Sequence, residues 1–132
     1  MSTASLRAAS ERVEIDGREY TLAASLWRDF MPMAPPDGES LIAALNVSPA
    51  DAMPSGDLAI DYVWVLNGEK QWSVAVGKPS GGGQLPASQL EQSVRNGPKW
   101  GPGITVDVVV RLKQGKQTWL VRAAGVPIKR TD

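Results

Sequence analysis

Aspartates are the residues of this sequence whose type and spacing could support chemistry. Asp61 and Asp107 each alternate with apolar residues and could form the carboxylate pair of a glycoside hydrolase. Asp51 and Asp57 share a loop and could bind calcium, although their spacing matches no calcium loop. Polar positions that alternate with apolar ones usually face water, and loop aspartates usually cap turns. We therefore expect neither a catalytic pair nor a metal site.

Two residue types that most enzymes use are absent. The 132 residues include no histidine and no cysteine, which excludes serine–histidine–aspartate triads, thiol nucleophiles and the common zinc, copper and haem sites. Lys99 is the remaining candidate nucleophile, but the prolines and glycines around it predict an exposed lysine with its ordinary charge. The sequence thus favours a protein that binds over an enzyme, and no cofactor is expected.

Two loops rich in proline and glycine are the best candidates for a binding surface. Phe30 opens one of them, and Trp100 lies within the other, between prolines and glycines. Stiff loops lose little entropy on binding. Alternatively, both loops fold back as plugs over the core. If strands alternate strictly up and down, the two loops lie at opposite ends of the domain. The candidate binding residues are Trp27, Arg28, Phe30, Met31, Met33, Lys99 and Trp100.

The expected partner is another protein or a second copy of the chain, bound through an exposed strand edge or the surface around Trp27 and Phe30. One alternative is a small-ligand or carbohydrate site, or a carboxylate enzyme, around the Trp100 loop. Another is single-stranded nucleic acid stacked on Trp100. The formal net charge is zero, which argues against nucleic acid. The three glycines at 81–83 lack the lysine of a phosphate loop and are expected to be a flexible link.

Charge is unevenly distributed along the chain. Residues 1–66 hold ten acidic and four basic residues, whereas residues 67–132 hold four acidic and ten basic ones. This asymmetry favours complementary ion pairs between neighbouring strands. The alternative is a basic surface that meets an acidic partner, formed by Arg111, Lys113, Lys116, Arg122, Lys129 and Arg130.

The apolar pattern indicates an all-β fold of about seven or eight strands. Hairpins are predicted at Asp16-Gly17 and Asn67-Gly68. The alternation from Ile60 to Leu66 predicts that Trp64 faces inward, with Trp72 on the same face after the turn. Val106 to Leu112 alternate in the same way, and Ile128–Arg130 is expected to be a short edge strand. Trp27 is out of phase with Leu26 and is expected to point outward.

One short helix is expected between the strands. Ser88 and Glu91 match a capping box, Leu90 and Val94 give an apolar stripe, and Asn96-Gly97 would end the helix. The strand-rich pattern predicts an antiparallel β-sandwich, Ig-like or transthyretin-like, with this inserted helix. A small β-barrel is the alternative.

We expect a single domain over residues 12–132, after a lead-in over residues 1–11 that is poorly ordered or forms a short helix. No stretch is long and apolar enough to span a membrane. The sequence as it stands predicts a cytoplasmic protein, and an exported mature domain is the alternative if a signal has been removed. The strings Leu26–Phe30 and Gly97–Gly103 resemble segments of small bacterial β-sandwich proteins, and this resemblance implies no functional residue.

Overall fold

The structure is a computed structural model that describes residues 3–15, 17–30, 38–48, 59–76, 91–114 and 116–131. Most of these residues lie in strands and the one helix has five residues, so the all-β prediction is confirmed. No helix in this part of the chain is long and apolar enough to span a membrane. The elements are α1 (Thr3–Arg7), β1 (Arg12–Ile15), β2 (Arg18–Asp29), β3 (Leu41–Ser48), β4 (Ala59–Asn67), β5 (Lys70–Ala75), β6 (Glu91–Gly97), β7 (Thr105–Gln114) and β8 (Gln117–Thr131).

The strands form one sheet in the order β5-β4-β7-β8-β2-β3-β6, and β1 pairs with β2 beside this path. The two terminal strands of the sheet, β5 and β6, approach each other. The ring of Trp72 on β5 lies against Gly97 on β6. A sheet whose ends meet in this way is a nearly closed barrel. The architecture therefore corresponds to the small barrel, the alternative to the predicted sandwich.

The long strand β8 joins the two halves of the sheet. Most of it pairs antiparallel with β7, and its end from Ile128 to Thr131 pairs parallel with β2 from Leu26 to Asp29. The short edge strand predicted for Ile128–Arg130 is therefore wrong. Pairing on both sides buries Ile128, which is 2% exposed, and a register shift opposite Val106 and Val108 lets β8 bend without ending.

Both predicted hairpins form, and a third joins β7 to β8. β1 and β2 meet at Gly17, whose φ of 80° favours glycine. β4 and β5 meet at Gly68 and Glu69, one residue later than predicted, with Asn67 opposite Lys70. β7 and β8 pair up to Gln114 and Gln117. These turns fix the register of the neighbouring strands.

The helix predicted after residue 88 is wrong where the structure describes the chain, because residues 91–97 form strand β6. This strand pairs antiparallel with β3, and Val94, opposite Ala43, is buried. Burial and backbone pairing with β3 override a capping signal that extends over only four residues. Residues 77–90, which include the Ser88 cap and the glycine link, lie outside the described residues.

The main core fills the inside of the barrel. Val106, Val108, Val110 and Leu112 of β7 all face inward, as the alternation predicts. β4 differs from the prediction. A register shift between Ile60 and Tyr62 moves the alternation by one residue. Val63 and Val65 therefore face the main core, and Trp64 and Leu66 face the opposite side.

A second, smaller core lies on the outer face of β4 and β7. Leu6 of α1 packs there with Trp64, Leu66 and Val109, and all four are buried. A strand with apolar residues on both faces needs a cover on each side. Residues 3–9 provide that cover, since Ala9 also packs against the cluster.

Candidate functional site

Arg28 is the polar residue that organises one end of the barrel. It continues the inward phase of Leu22 and Leu26 along β2 and is 4% exposed. Its Nε donates a hydrogen bond to the carbonyl oxygen of Glu39 at 3.0 Å. Its Nη1 donates to the carbonyl oxygens of Lys99 at 3.3 Å and Gly101 at 2.7 Å. One guanidinium thus holds together the chain after β2 and the chain after β6.

This contact contradicts the expectation that the two loops lie at opposite ends. That expectation assumed a helix at residues 91–97, whereas the chain runs through them as a strand, from Glu91 beside Asn46 to Gly97 beside Leu41. The additional strand reverses the direction of the chain once more. The segment around Trp100 therefore lies at the same end of the barrel as Phe30.

The ring of Phe30 lies close to two arginines at this end. The guanidinium carbon of Arg28 is 5.0 Å from the ring centroid and that of Arg130 is 4.5 Å away, distances typical of cation–π contacts. Arg28 on β2 and Arg130 on β8 are directly paired in the parallel β2–β8 ladder. The ring also covers Gly38, where a Cβ would lie 2.5 Å from a ring carbon. Phe30 thus contacts both guanidinium groups and packs against the chain at Gly38.

The remaining candidate binding residues are not brought together at one surface. Trp27 lies on the opposite face of β2 from Arg28, half-buried, opposite Ile42 and Lys129. Trp100 is half-buried and packs against the main core. Lys99 is exposed. Met31 and Met33 lie outside the described residues. Arg28, Phe30 and the backbone of Lys99 are the candidate residues that the structure joins.

The two strand aspartates are bound to arginines. Asp61 on β4 accepts hydrogen bonds of 2.8 Å from both Nε and Nη2 of Arg111 on β7. The hydrogen bond to Asp61 raises the pKa of Arg111 above its usual value, which keeps the guanidinium charged. This pair joins the acidic half of the sequence to the basic half on neighbouring strands, as the charge distribution favours. Asp51 and Asp57 lie outside the described residues.

Asp107 has two hydrogen-bond donors and a second arginine around its carboxylate. Arg7 lies 3.0 Å away, Arg122 lies 3.7 Å away, and the backbone N–H of Gly125 donates at 3.0 Å. Burial tends to raise the pKa of Asp107, but the hydrogen bonds from Gly125 and Arg7 and the two positive charges outweigh it and lower that pKa. A carboxylate held ionised in this way is a poor general acid near neutral pH.

The six basic residues that were the alternative candidates for a basic, partner-binding surface do not lie on one surface. Arg111 and Arg122 are engaged with aspartates. Lys116 lies beside the β7–β8 turn, whereas Lys129 and Arg130 lie at the other end of β8.

The seam between β5 and β6 is a feature that the sequence did not indicate. These strands are neighbours around the barrel but are not hydrogen-bonded to each other. Trp72 spans the seam on the inside, packed against the main core and the backbone of Gly97. Trp72 pairs with Val65 and faces the main core, as predicted, whereas Trp64 faces the opposite side, so the two tryptophans do not share a face. The seam leaves β5 as an edge strand of the described sheet.

Comparisons with protein-family models, with curated proteins and with solved structures find no match to this chain.

Proposed function

We propose that this protein is a non-catalytic binding module that associates with a second copy of itself through the edge of β5. The observation that carries the proposal is the edge of β5, to which no strand in the described part of the chain is hydrogen-bonded. Asp61 and Asp107, the candidate acid–base residues, are held in arginine ion pairs. That arrangement supports binding rather than proton transfer.

The backbone N–H and C=O groups of β5 point alternately toward β4, its hydrogen-bonded partner, and toward the opposite edge of the strand. Val76 N–H donates to the carbonyl oxygen of Asp61 at 3.1 Å, on the side of β4. Backbone groups of an antiparallel pair alternate between the two sides of the strand. Ser73 and Ala75 have the opposite phase from Val76, so their N–H and C=O groups point away from β4. No described strand is hydrogen-bonded to β5 on that side, and this edge can therefore serve as a template for another strand.

The residues of β5 lack the usual protection against edge pairing. Proteins block edges with prolines, bulges or central charges, whereas β5 reads Lys-Gln-Trp-Ser-Val-Ala and pairs with β4 without a register shift. Its single charge is Lys70, at one end. Two copies of β5 in antiparallel alignment place their lysines at opposite ends, which keeps the like charges apart. The charge of β5 itself therefore does not oppose pairing with a second copy.

A proline at position 73 tests the proposal. Ser73→Pro removes an N–H that points to the edge and leaves the ladder to β4 intact, whereas Ser73→Ala retains that N–H. Light scattering of the wild-type chain should show a mass that rises with concentration toward twice 14.1 kDa. Ser73→Ala should behave in the same way, and Ser73→Pro should remain monomeric with a native circular dichroism spectrum. A wild-type chain that stays monomeric at millimolar concentration, or a Ser73→Pro chain that still associates, would contradict the proposal.

A further inference from the structure

We propose that the outer face of β4 and β7 is a second binding site, specific for a short protein segment in which an arginine follows a leucine. Residues 3–9, called here the N-terminal segment, occupy this site in the isolated chain. The leucine and arginine of the segment contact β4, β7 and β8, whereas Thr3 at its start accepts a hydrogen bond from the side chain of Gln71 on β5. The inference does not depend on self-association.

The apolar part of the site holds one leucine side chain. Leu6 is completely buried against Trp64, Leu66 and Val109. These three residues lie on the outer face of the sheet, away from the main core. Without the N-terminal segment, an apolar surface that includes a tryptophan would face water. Such surfaces typically mark protein-interaction sites.

The polar part of the site recognises an arginine and the backbone that follows it. Nε of Arg7 lies 3.0 Å from Oδ2 of Asp107. Arg122 donates from Nε to the carbonyl oxygen of Ala9 at 3.2 Å and from its backbone N–H to the carbonyl oxygen of Ser10 at 2.9 Å. An apolar anchor, a charge-assisted contact and backbone hydrogen bonds are the usual components of peptide recognition.

The N-terminal segment is held by side-chain and backbone contacts and is not part of the strand pairing, as a bound peptide ligand would be. Helix α1 has five residues, too few to be stable without tertiary contacts. Leu6 is its buried residue, and the first strand begins only at Arg12. Its removal therefore interrupts no strand pairing. A partner segment with the same leucine and arginine can replace it, because the site already accommodates that chemistry.

A competition experiment with the full-length chain tests this proposal. Leu6→Ser weakens the chain's own segment and leaves the site intact. A synthetic peptide of residues 1–12 should then bind to the Leu6→Ser chain, as a saturable change in tryptophan fluorescence. It should bind the wild-type chain at least about tenfold more weakly, because the intact segment competes at high effective concentration. Ala4→Ser, an exposed change in the same helix, is the matched control and should behave as wild type.

Peptide variants separate recognition from non-specific adsorption. A peptide with Leu6→Ser should lose at least about tenfold in affinity, since burial of a leucine provides most of the apolar contact. A peptide with Arg7→Ala should bind more weakly, and its affinity should depend less on salt. Two results would overturn the proposal. One is a folded Leu6→Ser chain that shows no saturable change at millimolar peptide. The other is a Leu6→Ser chain without a cooperative unfolding transition, which would make the N-terminal segment part of the fold.

Discussion

The indole ring of Trp72 lies so close to the backbone of Gly97 that a Cβ atom at position 97 would be 2.6 Å from ring carbon Cζ3. This contact joins β5 and β6, the two terminal strands in the sheet order, which are not hydrogen-bonded to each other. It closes the barrel on the inside and leaves the backbone edge of β5 without a hydrogen-bonded strand among the described residues. The edge of β5 and the contact between Trp72 and Gly97 thus both belong to the junction of β5 and β6.

The contact predicts a large effect from a small substitution. Gly97→Ala should force the indole away from β6, at a cost of about 1–3 kcal/mol in the free energy of unfolding. Trp72 should become more exposed, with a red shift in tryptophan emission. A double-mutant cycle provides the control, because Gly97→Ala should cost much less in a Trp72→Ala background. Additive effects of the two changes would show that the two residues do not contact each other.

Arg28 should be important for stability. Arg28→Ala leaves the carbonyl oxygens of Glu39, Lys99 and Gly101 without their donor. We expect a loss of about 2–4 kcal/mol in the free energy of unfolding, measured by urea denaturation. Arg28→Lys retains the charge but not the planar arrangement of donors, so it should restore only part of that loss. An Arg28→Ala chain as stable as wild type would exclude this role of the guanidinium.

Asp107 should make the protein less stable in acid. Because folding lowers the pKa of Asp107, its contribution is complete above the usual pKa of an aspartate, about 3.9. That contribution is lost as pH falls through the lower folded-state value. Asp107→Asn should cost about 1 kcal/mol at pH 7 and much less at pH 2.5, as measured by urea denaturation at both values. Thr105→Ala, an uncharged and exposed change on the same strand, should leave the difference between the two pH values unchanged. An equal cost of Asp107→Asn at both pH values would contradict the assignment.

The sequence predicts the fold best where one face of a strand is apolar and the other polar. β7 shows this, since its inward valines follow a clear alternation. β4 carries apolar residues on both faces, so its pattern could not show the register shift that turns Trp64 outward. Val109 is a valine among the polar residues of the outer face of β7. Val109 was the one sign in the β7 sequence of a second core on the outer face. The sequence alone could not show that Leu6 covers this core, because that contact is between residues far apart in the chain.

The candidate site was predicted in part. The stiff segments around Phe30 and Trp100 were identified, but their joining by Arg28 was not. The phase of Leu22 and Leu26 places Arg28 inside the barrel, whereas arginines are seldom buried without partners. Those partners are carbonyl oxygens of distant residues, which a sequence pattern does not show. The strand at residues 91–97 likewise depends on pairing with β3.

Chemical cross-linking at position 73 tests the proposed association most directly. The chain has no cysteine of its own, so a Ser73→Cys variant carries a single reactive thiol at the β5 edge. Antiparallel pairing of two edges predicts that a short bismaleimide links two Ser73→Cys chains, with a yield that rises with protein concentration. Lys129→Cys, an exposed position on β8, is the matched control and should remain monomeric under the same conditions. Equal yields from the two variants, or no dimer from Ser73→Cys at millimolar concentration, would contradict self-association through β5.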